Sequence, residues 1–309
     1  MELPVVKRVA IIGIGLIGSS LARAATEYGA AGSVALYDGS ADVRARAREI
    51  GLGDVYDDVS DCVRDADIVI LATPVGVMGA LVQSFASAMK ADAILTDVGS
   101  VKKAVVDAAL ESVPDHIHFI PGHPIAGTEK SGPDAGFASL FRDRWCILTP
   151  ATELADEAGQ AALNRLSDFW TVIGSQVQVM DVERHDRVLA ITSHLPHLIA
   201  FNIVGTAHDL ESVDQGDVIK FSAGGFRDFT RIAASDPIMW RDVFLYNKDA
   251  VLEMLGRFNE DLAALQRAIR WGEGEQLRSF FERTRGIRQS IIDAGQDTDA
   301  DNFGRDTKK

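Results

Sequence analysis

The chain has only two cysteines in 309 residues, Cys62 and Cys146, which stand 84 positions apart in no C-x-x-C arrangement. A disulfide-stapled scaffold is thereby excluded, and both thiols read as reduced core side chains in a reducing compartment. Positive charge is also scarce: 31 Lys and Arg stand against 45 Asp and Glu, a net charge of -14, with no basic block. Such a surface cannot track a phosphate backbone, which argues against nucleic acid as a partner. Any anionic small molecule must then be met by a few particular cations. Long apolar runs are missing as well; the run over residues 9–18 falls far short of the roughly 20 residues that a membrane span requires. Internal repeats and low-complexity tracts are absent.

What is present is the composition of a soluble globular protein, with 47% hydrophobic and 25% charged residues and a mean hydropathy of +0.05. At roughly 150 residues per domain the length implies two domains. Lys7 and Arg8 followed by an apolar run and Ala22-Arg23-Ala24-Ala25 imitate a secretory signal. Cleavage near Ala25 would remove the first strand of a coherent fold, so the expected location is cytoplasmic. Over residues 1–181 short β-branched runs such as Val9-Ala10-Ile11-Ile12, Val34-Ala35-Leu36-Tyr37, Ile68-Val69-Ile70-Leu71 and Ala93-Ile94-Leu95-Thr96 alternate with amphipathic stretches. Continuous apolar runs suit strands covered on both faces, and the helices between them imply parallel crossovers. An α/β fold is expected here, a doubly wound parallel sheet of the Rossmann type. Residues 182–292 lack strand signals and read as all-helical. Residues 293–309 are polar and acidic and read as a frayed tail.

Gly13-Ile14-Gly15-Leu16-Ile17-Gly18 follows the first strand directly and opens a helix. In this G-x-G-x-x-G pattern the first glycine permits the turn, the second admits a pyrophosphate to the backbone, and the third lets helix and strand pack. The free N–H groups of the helix then meet the anion. Asp38 lies 20 residues past Gly18 at the end of the second strand, where a carboxylate accepts both ribose hydroxyls of NAD. The extra phosphate of NADP would sit about 4 Å from it, a repulsion of about 1 to 4 kcal/mol, so NAD is the expected cofactor. Arg44 reads as solvated helix surface. Ligands of open α/β sheets lie beyond the carboxyl ends of the strands, which adds Thr73-Pro74, Asp97 and Ser100. The sixth strand, Ile117-His118-Phe119-Ile120, is expected to end in the turn-rich loop from Pro121 to Gly132, which holds His123 between Gly122 and Pro124 and also carries Thr128 and Glu129.

These segments resemble those of the prephenate and arogenate dehydrogenases of tyrosine biosynthesis. The resemblance rests on the glycine-rich turn and on Asp97-Val98-Gly99-Ser100-Val101-Lys102. It rests also on Gly122-His123-Pro124-Ile125-Ala126-Gly127-Thr128-Glu129, Ser193-His194-Leu195-Pro196-His197 and Gly225-Phe226-Arg227-Asp228-Phe229-Thr230-Arg231-Ile232-Ala233. It spans about residues 8–290 and implies a homodimer whose helical halves pack together. Prephenate is a cyclohexadienol that loses hydride from C4 to NAD, a proton from its C4 hydroxyl, and CO2 from the ring. His123 fits the base at that hydroxyl by position and by an ordinary pKa of about 6.5, so the rate is expected to fall on the acid side near pH 6 to 7. The resemblance gives it the same role.

Ser100 matches a serine that bonds near the hydroxyl, though it could equally cap the following helix. Arg231 matches the arginine that grips a substrate carboxylate. Asp228 and Glu129 resemble acidic partners of that arginine, or gates of the pocket. His194 and His197 are candidate substrate contacts, with no neighbouring acid or thiol to complete a metal site. Trp240 reads as core or subunit interface. Two other readings remain open at this level: a 3-hydroxyacid dehydrogenase, which would place a catalytic lysine in the second half, and a dinucleotide-sensing protein without turnover. Neither accounts for both His123 and Arg231.

Overall fold

A computed structural model describes residues 3–128, 130–152, 154, 156–211 and 220–293. Six parallel strands form the main sheet: β1 (Val6–Ile12), β2 (Ala31–Tyr37), β3 (Asp54–Val55), β4 (Ile68–Leu71), β5 (Ile94–Asp97) and β6 (His118–Phe119), in the order β3-β2-β1-β4-β5-β6. The register runs Ile12 against Tyr37 and Leu71, and Leu71 against Asp97, so these strand ends align. Successive side chains point to opposite faces. Val9, Ile11, Ile68, Ile70 and Ile94 accordingly enter one apolar core, while Ala10, Ile12, Val69, Leu71 and Leu95 enter another. That double burial is why the strands read as unbroken apolar runs.

The main departure from the one-sheet expectation concerns the last strands. His123 does not end β6; it lies in a strand of its own, β7 (Gly122–Pro124), antiparallel to β8 (Trp145–Leu148), and β8 runs parallel to β9 (Gln176–Val179). The break falls at Ile120-Pro121, where proline supplies no N–H to continue the ladder. The helix following the glycine turn is α1 (Leu16–Glu27), the next is α2 (Ala41–Glu49), α4 (Val75–Phe85) follows the short α3 (Val59–Val63), and α5 (Lys103–Ala109) follows β5. α6 (Glu157–Val172) covers the first core with Leu166, Phe169 and Trp170, and Trp170 meets Phe141 edge to face at 5.5 Å.

From Val182 onward the described residues are helical, as expected. α7 (Val182–Leu189) continues through a π-helical turn, Ala190–His194, into α8 (Leu195–Glu211). The stretch Val182–Leu210 is long and apolar enough, by length and composition, to cross a membrane, which reading only the N-terminal run overlooks. It is also the stretch that carries buried His185, Asp186 and His194. Then come α9 (Gly224–Thr230), a 3-10 turn Arg231–Ala234, α10 (Pro237–Tyr246), α11 (Lys248–Trp271) and α12 (Gly274–Asp293). Two compact units result, residues 1–252 and 253–309. The first therefore takes in the sheets together with α7 to α10, whereas texture alone divides the chain at residue 181. The described part of the second is helical and shows apolar side chains at Leu262, Ile269, Trp271 and Phe281. Residues 294–309, the expected frayed tail, lie outside the described residues.

Candidate active site

The glycine-rich turn is built as its spacing requires. Gly13 has φ of +100°, and a Cβ there would lie 2.4 Å from the Ala72 carbonyl oxygen; one on Gly18 would lie 1.9 Å from the Gly13 oxygen. Gly15 faces open space, with nothing within 4 Å of a Cβ. α1 starts at Leu16 and Ile17 with no side-chain cap, so its first N–H groups are left for a ligand. The Asp38 carboxylate accepts from Ile14 N–H at 2.8 Å and Ser40 N–H at 2.9 Å, which aims it across the turn and leaves lone pairs for hydroxyls. Thr73 Oγ1 is buried without a partner beside Gly13, and Pro74 caps α4. An open glycine, an uncapped helix, an aimed carboxylate and an orphaned hydroxyl fit a dinucleotide.

Two expectations at this end need correction. Asp97, expected among the cofactor contacts, is fully buried: its carboxylate pairs with the Lys102 ammonium and accepts from Gly99 N–H at 2.7 Å and Gly122 N–H at 3.3 Å. Its oxygens are spent on the scaffold. Arg44 is not solvated. Its guanidinium donates to Asp38 O at 2.7 Å and to Asp57 at 3.0 Å, and the side chain is 15% exposed.

Around His123 the structure assembles groups from five segments. His123 Nδ1 lies 2.8 Å from His185 Nε2, and His185 Nδ1 lies 2.8 Å from Asp186 Oδ1. Asp186 accepts backbone N–H from Lys102 at 2.8 Å and Lys103 at 2.9 Å. This external carboxylate caps α5, whose start has no side-chain cap of its own, so the capping alternative for Ser100 is not realised. Asn247 Nδ2 donates to Asp186 O at 2.9 Å and to His194 Nδ1 at 3.1 Å.

The donation order follows from chemistry. An ionised Asp186 only accepts, so His185 carries its proton on Nδ1 and accepts on Nε2. His123 must then donate from Nδ1, which leaves the lone pair on its Nε2, and nothing among the described residues pairs with that atom. Burial pushes His123 well below the ordinary histidine pKa, and the charges of His185, Lys102 and His194 push the same way. Its acid limb therefore belongs below the pH 6 to 7 expected from the sequence. Burial raises the Asp186 carboxyl, but the His185 bond and the two backbone N–H donors outweigh it, and the net shift is downward.

The second histidine pair divides its work. His194 is fully buried; burial lowers its pKa to about 4, its Nδ1 is engaged by Asn247, and its Nε2 has no partner. This histidine is built into the network through Asn247 and packs edge to face with Trp240. His197 is half-buried, bonds the Ser193 carbonyl at 2.9 Å through Nδ1, and stacks on Trp240 at 3.7 Å. Burial lowers its pKa, opposed by the Ser193 bond and assisted by the charge of Arg231. Direct contacts thus run from His123 through His185, Asp186, Asn247, His194 and Trp240 to His197, which feels the charge of Arg231. Arg231 itself is exposed, and Asp228 lies 3.9 Å from Arg227, so the expected Asp228–Arg231 pair is not formed. α9 ends at Thr230 and Arg231 starts the 3-10 turn. Thr128 is exposed, its hydroxyl bonding Lys130 N–H at 3.2 Å, and Glu129 lies outside the described residues.

Comparison with known proteins decides the family. Residues 21–179 match the nucleotide-binding domain of prephenate dehydrogenase, and residues 181–283 match its dimerization domain. The chain belongs to the prephenate dehydrogenase family. It is 45% identical over 288 residues to a cyclohexadienyl dehydrogenase of Zymomonas mobilis, covering 93% of this chain and 97% of that protein. With a prephenate dehydrogenase of Bacillus subtilis it shares 33% over 286 residues, 91% of this chain and 75% of the other. A prephenate dehydrogenase from A. aeolicus, solved with hydroxyphenyl propionate and NAD+, superimposes with a TM-score of 0.84 at 34% identity, covering 92% of this chain and 98% of that one.

The sequence alone does not mark His185, Asp186 or Asn247 as functional, and it gives Lys102 no role beyond its motif. One signal was available for two of them. On α7 the buried positions are His185, Asp186 and Leu189, the stripe that a 3.6-residue period assigns to the inward face. A charged pair on an inward stripe requires partners.

Proposed function

We propose that this member of the family oxidises prephenate, arogenate or both, with NAD as hydride acceptor and loss of CO2. The observation that carries the reading is the buried relay Asp186–His185–His123, which presents an unprotonated Nε2 at one end of a contact path whose other end is His197, within the electrostatic reach of Arg231. Gly13, Gly15, Leu16, Ile17, Gly18, Asp38, Thr73 and Pro74 would hold the dinucleotide, and NAD, when bound, takes the hydride from C4. His123 Nε2 accepts the C4 hydroxyl proton, and the positive charge it gains is stabilised through His185 by Asp186. Loss of CO2 sends an electron pair into the ring and on to the C4 oxygen, and His123 returns its proton there to give the phenol. The base therefore ends the cycle as it began.

Arg231 supplies the cation that a substrate carboxylate needs on an acidic protein. Ser100, half-buried and free of a capping role, stands near the same hydroxyl, and His197 stands with Arg231 at the carboxylate end. Thr128 sits in the loop after His123 and Glu129 follows it in sequence, a hydroxyl and a carboxylate for the polar groups of the substrate, and Asp228 lies three residues before Arg231. We also infer a homodimer. The region matched to the dimerization domain exposes Ile203, Val204, Phe229, Ile238 and Leu245, apolar side chains suited to a second copy. Buried, unpaired Cys62 and Cys146 suit a cytoplasmic enzyme.

Absorbance at 340 nm with NAD and each substrate in turn tests the reading. Turnover with at least one is expected, and His123→Asn should lower it at least about a hundredfold while NAD still binds. Absence of NAD reduction with both substrates would exclude the activity.

A further inference from the structure

Lys102 is fully buried, an expensive place for an ammonium, and two acceptors offset part of that cost. Its Nζ donates to the Asp97 carboxylate and, at 2.6 Å, to Gly122 O, the carbonyl of the peptide bond that leads into His123. Asp97 Oδ1 takes the N–H of the same glycine at 3.3 Å. Gly122 is thus gripped on both of its backbone polar groups by one ion pair. A Cβ at Gly122 would lie 3.0 Å from Asp97 O, which shows how close the two segments come. The backbone N–H of Lys102 independently donates to Asp186 Oδ1 at 2.8 Å, the atom that also takes the His185 proton. One residue therefore reaches His123 along two routes: through the main chain behind it and through the relay beside it.

We infer that Lys102 is a positioning residue for His123, its ammonium fixing the Gly122 peptide while its backbone N–H fixes the Asp186 end of the relay. This rests on the reading of His123 as the base. A purely structural lysine would need only some carboxylate partner. Here its second bond goes to the residue adjoining the base, and no other side chain among the described residues bonds that carbonyl. The titratable groups around His123 are His185 from α7, His194 from the π-helical turn and Lys102 itself. Asp97 lies behind Lys102, Asp186 behind His185, and the buried Cys146 sits on the neighbouring strand β8.

The test uses two variants of the full chain. Lys102→Met removes the charge at similar length but strands Asp97. The double variant Asp97→Asn/Lys102→Gln keeps a neutral donor for Gly122 O and an acceptor for the two glycine N–H groups. Turnover should fall roughly tenfold to a hundredfold in either, since an ångström of misplacement at a reacting group has about that effect. The Michaelis constant for prephenate and the NAD dissociation constant, read by quenching of protein fluorescence, should stay within about twofold. Lys102 opposes protonation of His123, so its removal should also carry the acid limb of turnover to higher pH. His123→Asn is measured alongside. Wild-type turnover and an unmoved limb in a folded Lys102 variant, with His123→Asn inactive, would overturn the inference and leave the base in place. An active His123→Asn would instead remove the base itself. Loss of cooperative melting in both Lys102 variants while His123→Asn folds would confine the pair to the core and also overturn the inference.

Discussion

The two ends of this site are built in opposite ways. The dinucleotide end is made of backbone: a left-handed Gly13, an uncapped helix start and one aimed carboxylate, contributed by a stretch running from β1 to Asp38. The chemical end is made of buried side chains from β5, β7, α7, the π-helical turn and the junction of α10 and α11, each bonded to the next. Local construction tolerates side-chain change wherever the backbone persists. A relay of single contacts does not, because each member sets the protonation or direction of its neighbour.

The comparison predicts a steep ranking of substitutions. Asp186→Asn should have the largest effect, on the order of a thousandfold in turnover. An amide can donate to His185 Nδ1, which reverses the order of donors and moves the lone pair of His123 away from its Nε2. NAD affinity should be nearly unchanged, which separates this from unfolding. Turnover within about threefold of wild type would show that the relay is only packing.

Arg231→Ala comes next and acts on binding. Loss of a charge-assisted pair should cost about 2 to 4 kcal/mol, roughly 30-fold to a thousandfold in the Michaelis constant, with turnover changed much less. An unchanged Michaelis constant would remove Arg231 from the substrate site.

The smallest effects belong to the dinucleotide end. Asp38→Ser should relax the preference for NAD over NADP by about tenfold or more, because it deletes the repulsion of a 2′-phosphate. Asp57→Asn should add only a fewfold, by releasing the guanidinium of Arg44 that Asp57 holds at 3.0 Å beside Asp38. The ratio of kcat/KM for the two cofactors measures both, and an enzyme that already prefers NADP would contradict the role given to Asp38.

Legibility in the sequence follows the same division. The glycine turn and Asp38 could be read because the chemistry needs residue types at fixed short spacings, and the apolar strands because both their faces are buried. His123 stood out through Gly122 and Pro124, yet its strand was assigned to the wrong sheet, since antiparallel pairing with β8 is a long-range event. His185 and Asp186 were hidden inside Val-Glu-Arg-His-Asp-Arg, which looks like a solvated helix face until helical phase is imposed. Lys102 looks like an ordinary cation at a helix start; only the fold shows that its ammonium is buried and bonds Asp97 and Gly122 O. Asn247, 61 residues from Asp186, had no local signal at all.

The central claim is that His123 works as a neutral base whose proton affinity is depressed by burial and by neighbouring charge. The pH dependence of turnover with NAD and prephenate tests it most directly. A base is active when unprotonated, so the rate falls as pH drops through its pKa, and a lowered pKa moves that fall to lower pH. The account predicts one acid limb clearly below the ordinary histidine value of about 6.5, absent from the residual rate of His123→Asn. A limb at or above that value, or one that survives in His123→Asn, would contradict it.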